Sequence, residues 1–584
     1  VTPRGTTLAV VAATLASLAY WAPALLAPGA TGLGDWQMVH HNWEVGWVAL
    51  TRHGEWPLWD PYHCGGVTML GNPESQHFSP WFLLAFLIGP TAGIKAMLVA
   101  HTALGVLGMR GYAREVLRLS APAAWLAAIS WAFSGFFAWH GAGGHGTFLA
   151  FAYLPWLLLA WRRALLDVRH AVPVALLLAL TVAEGGTYPL PYMGLALALE
   201  ALLLLGRPEA RLPSLRAALV VGVLFPLVAA VRVLPILEAL RRFPRTMASI
   251  DRMSLADLVT ALTERTHEWR WPGHEFVWPE YGAFMGWTVL ALAAVSLFLL
   301  RSTDRTRRRA VLMHAALAAL FLALILGNGP LRPWPWLHAL PVFDALRVPS
   351  RFFGVATFYL AILAGFALDA LASPASPRST MRRSAMVMAW IITLGAATDI
   401  AVVTRPIVDR WKAAPIEPAL AADTFHLVHV ADYNSRYARL PRENLGTTGC
   451  YEGAMRWNVA PGLWLGDVPQ VRVPAPARLL ESARTPSRLF ADLDVPAPTR
   501  VVWNSNFDPG WQTNLGTVVD DAGRLAVDVP AGRYRLKLRF FPALLTPALA
   551  GSALGLLTAL VLWTSGRTRR ALRLEAPAAA PSSH

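Results

Sequence analysis

About twenty consecutive apolar residues are enough to cross a bilayer, and in lipid the backbone of such a stretch must satisfy its own hydrogen bonds as helix. This chain carries stretches of that kind from end to end. Twelve spans are read, near residues 6–27, 91–113, 120–138, 147–161, 171–184, 188–206, 214–235, 281–300, 310–327, 352–373, 384–404 and 543–565. The fold class that follows is mainly α, a polytopic transmembrane helical bundle. Composition agrees: 15% of the 584 residues are charged, against about 25% in an ordinary soluble domain.

The net charge of +15 has three sources to choose between: nucleic acid, an anionic surface or membrane topology. The arginines decide for topology. They cluster at Arg4, Arg110–Arg118, Arg162–Arg169, Arg207–Arg216, Arg301–Arg309, Arg378–Arg383 and Arg567–Arg573. Twelve alternating spans put all of these on one side, which the positive-inside rule makes the cytoplasm, with both termini there. No nucleic-acid partner is expected. Arg241, Arg242 and Arg245 run against the trend, in an outward loop. The first span reads as an uncleaved signal anchor.

The expected organisation is a membrane module over 1–404 with outward loops at 28–90, 241–280 and 328–351. A segment over 405–542 follows, then the last span at 543–565 and a disordered cytoplasmic tail at 566–584. The 405–542 segment loses the apolar runs. Short alternating stretches replace them at Gln470–Val473, Arg488–Val495, Arg500–Trp503, Arg524–Val529 and Tyr534–Phe540, which predicts a small all-β extracytoplasmic domain.

Candidate chemistry gathers in the outward loops. Asp35 is the first carboxylate after the first span, fit for a general base or a metal ligand, or simply for a helix N-cap. Glu184 ends the fifth span before Gly185-Gly186 and two prolines, a pattern of irregular backbone around a cavity or of an interfacial glutamate. His140 and His145 flank three glycines, and His40 adjoins His41; imidazole binds metal, donates to phosphate or moves protons, and a polar hairpin has the same look. Arg347 and Arg351 sit in a short outward loop, where positive-inside bias disfavours them. A bidentate grip on a lipid phosphate gives them a reason to be there, and pairing with Asp344 or Glu280 gives another. Trp59 and Asp60 lie in an aromatic loop suited either to the membrane interface or to stacking a sugar. Two cysteines, Cys64 and Cys450, exclude a disulfide-rich scaffold and a Cys-based zinc site. Both face outward, where a disulfide between them is permitted, with two free, separately placed thiols as the default reading.

The ordered motifs resemble the bacterial YfhO-like membrane protein family, of the GT-C glycosyltransferase-like class. They are Gly34-Asp35, Trp56-Pro57-Leu58-Trp59-Asp60-Pro61, Gly65-Gly66, Asn72-Pro73, Gln76, Phe78-Ser79-Pro80, Gly144-His145 and Tyr153-Leu154-Pro155-Trp156. Pro279-Glu280-Tyr281-Gly282, Leu346 to Phe352, Gly446 to Tyr451, Phe507 to Trp511 and Val529 to Tyr534 complete the series.

The resemblance implies a bacterial inner-membrane enzyme that moves a sugar from a polyprenyl-phosphate carrier to an envelope glycan or lipid on the outer face. Asp35 would be the base, Glu184 a second carboxylate, and Arg347 with Arg351 the phosphate grip. His40, His140, His145, Trp59, Asp60, Glu280 and Tyr281 would line the substrate pocket. A divalent metal, Mg or Mn, with Asp35 as a ligand, is compatible. The competing classes are a lipid or sugar transporter and a non-catalytic envelope-assembly protein. Transporters commonly show related halves and ionisable groups near midplane; here the halves look unrelated and the ionisable groups gather at the outer interface.

Overall fold

The computed structural model describes residues 3–32, 34–302, 304–372, 379–413, 421–431, 435–451, 455 and 457–574. Seven helices are long and apolar enough to cross a membrane: Pro90–Glu115, Ala121–Gly143, Pro208–Val228, Arg305–Ile325, Pro349–Ala372, Met381–Trp411 and Leu545–Ser565. The chain is a multi-pass membrane protein. Four shorter apolar helices, Gly5–Tyr20, Val168–Ala183, Pro189–Leu205 and Trp287–Arg301, fall on four more of the expected spans. The remaining one, 147–161, is interrupted, running as a 3-10 segment Gly146–Tyr153 into an α-helix Leu154–Ala164. Pro155 sits in the first turn of that helix, where its missing N–H costs nothing. The twelve expected spans, some of them short or interrupted by proline, thus fall on seven long helices and five shorter or broken ones.

Burial sorts the helices. Pro349–Ala372 has 89% of its apolar window inside the protein and forms the centre of the bundle, whereas Pro208–Val228 has 22% and faces outward. Two ion pairs lie inside the bundle, where a low dielectric favours pairing. Arg162 meets Glu200 at 2.9 Å, and the Tyr112 hydroxyl donates to the same carboxylate at 3.3 Å. Arg307 meets Asp369 at 3.0 Å, and the Ser120 N–H donates to Asp369 at 2.7 Å.

Twelve strands are described. β1 (Trp59–Asp60) pairs with β2 (Val67–Thr68), and β3 (His426–Val428) runs parallel to β4 (Leu445–Thr447). The others are β5 (Val471–Arg472), β6 (Arg478–Thr485), β7 (Arg488–Val495), β8 (Thr499–Asn506), β9 (Trp511–Thr513), β10 (Thr517–Asp521), β11 (Arg524–Val529) and β12 (Gly532–Phe540). These eight form two antiparallel sheets in the orders β10-β11-β8-β5 and β6-β7-β12-β9. The five alternating stretches read from sequence coincide with β5, β7, β8, β11 and β12. Leu489, Ala491, Leu493 and Val495 of β7 point inward beside Leu536, Leu538 and Phe540 of the neighbouring β12, the period-two pattern of a sheet with one buried face.

The first long loop fastens this sandwich to the bundle. Trp59 enters the sandwich core, with ring centroids 5.4 Å from Trp511 and 4.7 Å from Phe540. The Leu58 and Trp59 N–H groups donate to the Ser487 hydroxyl. Cys64 and Cys450 form a disulfide with Cα atoms 4.5 Å apart. Helix Ser379–Val408 runs past 404, and the last helix continues to Leu574, into the expected tail; residues 575–584 lie outside those described.

Candidate active site

A cavity of about 440 Å³ opens where the first long loop, the Gly143–Phe148 turn, the 269–280 loop and Arg347–Arg351 meet. Asp35, His145, Glu280, Arg347 and Arg351 line it together. The crossing that brings Asp35 beside His145 requires two glycines. At Gly34 (φ +62°) a Cβ would lie 2.4 Å from the Gly143 carbonyl oxygen, and at Gly144 (φ +96°) one would lie 2.2 Å from the Trp36 nitrogen. Both conformations favour glycine, and neither leaves room for a side chain.

Asp35 occupies the N-cap position of helix Trp36–His53, yet its carboxylate makes no capping hydrogen bond. One oxygen accepts the Tyr451 hydroxyl. The other lies 3.5 Å from His145 Nε2. The capping explanation for this aspartate fails on that geometry, and the side chain is left for the cavity.

Glu280 is the second carboxylate at the cavity. Arg351 donates to it twice, Nε at 2.7 Å and Nη2 at 2.6 Å, while His145 Nε2 stands 3.7 Å away. Burial alone would push the Glu280 carboxyl up. Arg351, with His145 and Arg347 beyond it, outweighs burial and holds the group down at about 2. Arg351 is also sandwiched by rings, 4.1 Å from the Tyr188 centroid and 5.1 Å from Phe148. Its charge is spent on Glu280.

The cavity has other cations to offer. Arg347 packs over Phe276 at 5.5 Å. Arg245 lines the same space. Neither side chain makes an ion pair among the described residues. Arg245 was legible beforehand only as one of the three arginines violating the positive-inside trend. Another of the three, Arg242, pairs with Asp508 of the sandwich at 2.7 Å.

His140, His145 and Glu280 bring donor atoms within 4.8 Å of one another. The two imidazoles share a hydrogen bond through their Nδ1 atoms, and the buried Nε2 of His140 has no partner among the described residues. Such a set fits a divalent cation. Its two imidazoles suit zinc, iron or nickel better than the magnesium or manganese expected from the sequence.

Several expected residues lie elsewhere. Glu184 does not line the cavity. It is 2% exposed, and its carboxylate is taken by His101 Nε2 at 2.8 Å and the Tyr153 hydroxyl at 2.5 Å. Its backbone carbonyl accepts from Gln76, a cavity residue. Trp59 is core of the sandwich. Asp60 is buried against His41 at 2.8 Å, and His40 is buried outside the cavity wall. Tyr281 points away and donates to Asp251 at 2.7 Å. Each satisfies burial or hydrogen bonding locally, and sequence proximity to a cavity residue does not carry a side chain into the cavity.

No family model matches the chain, and no curated protein matches it. Solved structures do. The arabinofuranosyltransferase AftD from Mycobacteria aligns at 16% identity and a TM-score of 0.44 over 70% of this chain and 27% of that one. The oligosaccharyltransferase AglB from Archaeoglobus fulgidus, in complex with an inhibitory peptide and a dolichol-phosphate, aligns at 13% and 0.41 over 76% and 64%. ArnT from Cupriavidus metallidurans, bound to undecaprenyl phosphate, aligns at 13% and 0.44 over 76% and 86%. This chain spans about a quarter of the AftD chain. At such identities and scores the functional reading rests on the cavity.

Proposed function

We propose that this is an inner-membrane glycosyltransferase of GT-C type that takes a sugar from a polyprenyl-phosphate carrier and passes it to an envelope glycan or lipid on the outer face. The observation that carries the reading is one cavity holding a carboxylate that caps no helix, Asp35, together with two guanidinium groups, Arg347 and Arg245, that make no ion pair among the described residues. The order of motifs shared with the YfhO-like proteins supports it.

Displacement of a phosphate-linked sugar with inversion needs one base and a stabilised leaving group. Asp35 takes the proton from the acceptor hydroxyl. The Tyr451 hydroxyl holds one of its oxygens, and the other, 3.5 Å from His145 Nε2, is the one that meets the acceptor. Arg347 and Arg245 receive the donor phosphate and stabilise the charge that develops as the sugar leaves. Arg351 keeps Glu280 ionised and aligned toward His145. A cation held by His140, His145 and Glu280 would add positive charge beside the reacting centre.

The test is transfer by the purified protein in lipid nanodiscs from radiolabelled polyprenyl-phosphate sugars, with co-purified lipids identified by mass spectrometry. A phosphate-linked isoprenoid that co-purifies and is turned over is the expected result. A protein that transfers from none of these donors and co-purifies with no such lipid is not this enzyme.

A further inference from the structure

The sandwich has an open edge. β5 ends one sheet and β6 ends the other, and between these edge strands and the loop before β3 lies a cleft of about 790 Å³. Two of its walls carry hydrogen-bond donors with nothing to donate to. Arg484 of β6 has Nε and Nη2 buried and without a partner among the described residues, and Trp503 of β8, 3% exposed, has its indole Nε1 in the same condition. Buried donors are nearly always satisfied, so two in one cleft call for an explanation. An unpaired buried cation calls for one more strongly.

We propose that this cleft is an anion subsite, in which Arg484 and Trp503 hold a carboxylate or phosphate group carried on a glycan.

The cleft is built for such a group. The Arg484 guanidinium carbon lies over the Phe425 ring, 3.8 Å from its centroid. That contact uses none of its N–H groups, and an acceptor that enters the cleft could take them. Among the described residues no carboxylate pairs with it. Asp423, Asp467 and Glu481 also line the cleft. Asp467 is engaged by the Thr424 hydroxyl at 2.6 Å, and none of the three pairs with Arg484. Burial pulls the Arg484 guanidinium down to about 10, and an anion docked against it would reverse that. The volume falls in the range of pockets that enclose small ligands, enough for one or two sugar rings.

The subsite is remote from the chemistry. Arg52, at the far end of helix Trp36–His53, lines this cleft, and Asp35 precedes the same helix. At 1.5 Å per residue the two ends are about 25 Å apart. A glycan occupying the cleft would therefore be gripped well away from its reacting end. That the anion belongs to the acceptor rests on the transferase reading; the binding itself does not.

The test is calorimetric titration of the full-length protein in nanodiscs with trigalacturonate, with inorganic phosphate and with neutral maltotriose. We expect saturable binding of at least one anionic probe, about tenfold or more tighter than maltotriose, and which probe binds identifies carboxylate or phosphate. Arg484→Gln should weaken that binding by about tenfold or more while the melting temperature holds or rises, since an uncompensated buried charge is removed. Trp503→Phe, which keeps the ring and loses the donor, should weaken it about threefold to tenfold. Equal binding of the neutral sugar, or anion binding untouched in both variants, overturns the proposal. So does a lower melting temperature in Arg484→Gln with binding intact, which would make the arginine structural. Binding is read without turnover, so an inactive protein that still binds overturns the transferase reading and leaves the subsite standing.

Discussion

Tyr451 donates its hydroxyl to Asp35 across 416 residues of chain. Its neighbour Cys450 is tied by a disulfide to Cys64 in the loop that follows the Asp35 helix. The carboxylate proposed as the base is thus oriented by a residue from the other end of the protein, and a covalent bond one residue away holds that residue in place.

Tyr451→Phe removes the hydrogen bond and keeps the ring. Turnover should fall about tenfold with the donor KM little changed, because the lost interaction orients the base and does not touch the donor. Steady-state kinetics with both substrates varied separates the two parameters. A change confined to KM would move Tyr451 into substrate binding.

Reduction of the disulfide should act on both stability and rate. Closing so long a loop restricts the unfolded chain and is worth about 2–4 kcal/mol. Cys64→Ser should lower the thermal midpoint, and at a temperature where the variant is still folded it should also lower turnover by freeing Tyr451. Dithiothreitol applied to the parent should reproduce both effects and leave Cys64→Ser unchanged.

Asp35→Asn should reduce transfer by about 10²–10⁴, the usual contribution of a positioned base, with expression and melting temperature unaffected because the side chain caps no helix. The radiolabel assay reads it directly. Near-parental activity of this variant rules Asp35 out as the base.

Arg347 and Arg351 should behave differently although they stand four residues apart. Arg347→Ala should raise the donor KM about tenfold and leave the fold alone. Arg351→Ala leaves Glu280 buried and unpaired, at a cost of about 3–5 kcal/mol, and pairing it with Glu280→Leu should recover most of that loss. Thermal unfolding of the single and double variants gives the coupling.

The same ion pair sets an acid limb. The folded Glu280 carboxyl lies at about 2, below its ordinary value of 4.5. Its contribution to stability is complete above about pH 5 and is lost as pH falls through 4.5 toward 2, since the unfolded chain takes up the proton first. Melting temperatures measured from pH 3 to 7 should show that fall, and Glu280→Gln should flatten it.

Much of the architecture was legible in the sequence, for reasons that are local. Lipid leaves a long apolar stretch no choice but helix, so the apolar runs mark the bundle. Alternation along Arg488–Val495 and Gly532–Phe540 identifies strands with one buried face. Prolines within the runs mark where helices break, as Pro155 does at the start of Leu154–Ala164. Asp35 stood out as the first carboxylate beyond a span, and the arginines that broke the topology rule, Arg245 and Arg347, proved to be cavity cations that make no ion pair among the described residues.

What the sequence could not decide was which groups meet. Glu184 and Glu280 look alike on paper, each an acid beside glycine or proline at the edge of the membrane. Glu184 is consumed by His101 and Tyr153, whereas Glu280 faces His145, a difference set by how helices distant in sequence cross. Arg351 read either as a phosphate ligand or as a partner for Asp344 or Glu280, and the fold put Glu280 against it. Tyr451 closes one of the motifs of the resemblance, Gly446 to Tyr451, but nothing in the sequence assigned it a role. The apolar and alternating patterns determined the elements, because those depend on neighbours along the chain. Only the tertiary structure determined the cavity, because a charge buried away from water takes whichever partner the packing brings within about 3 Å.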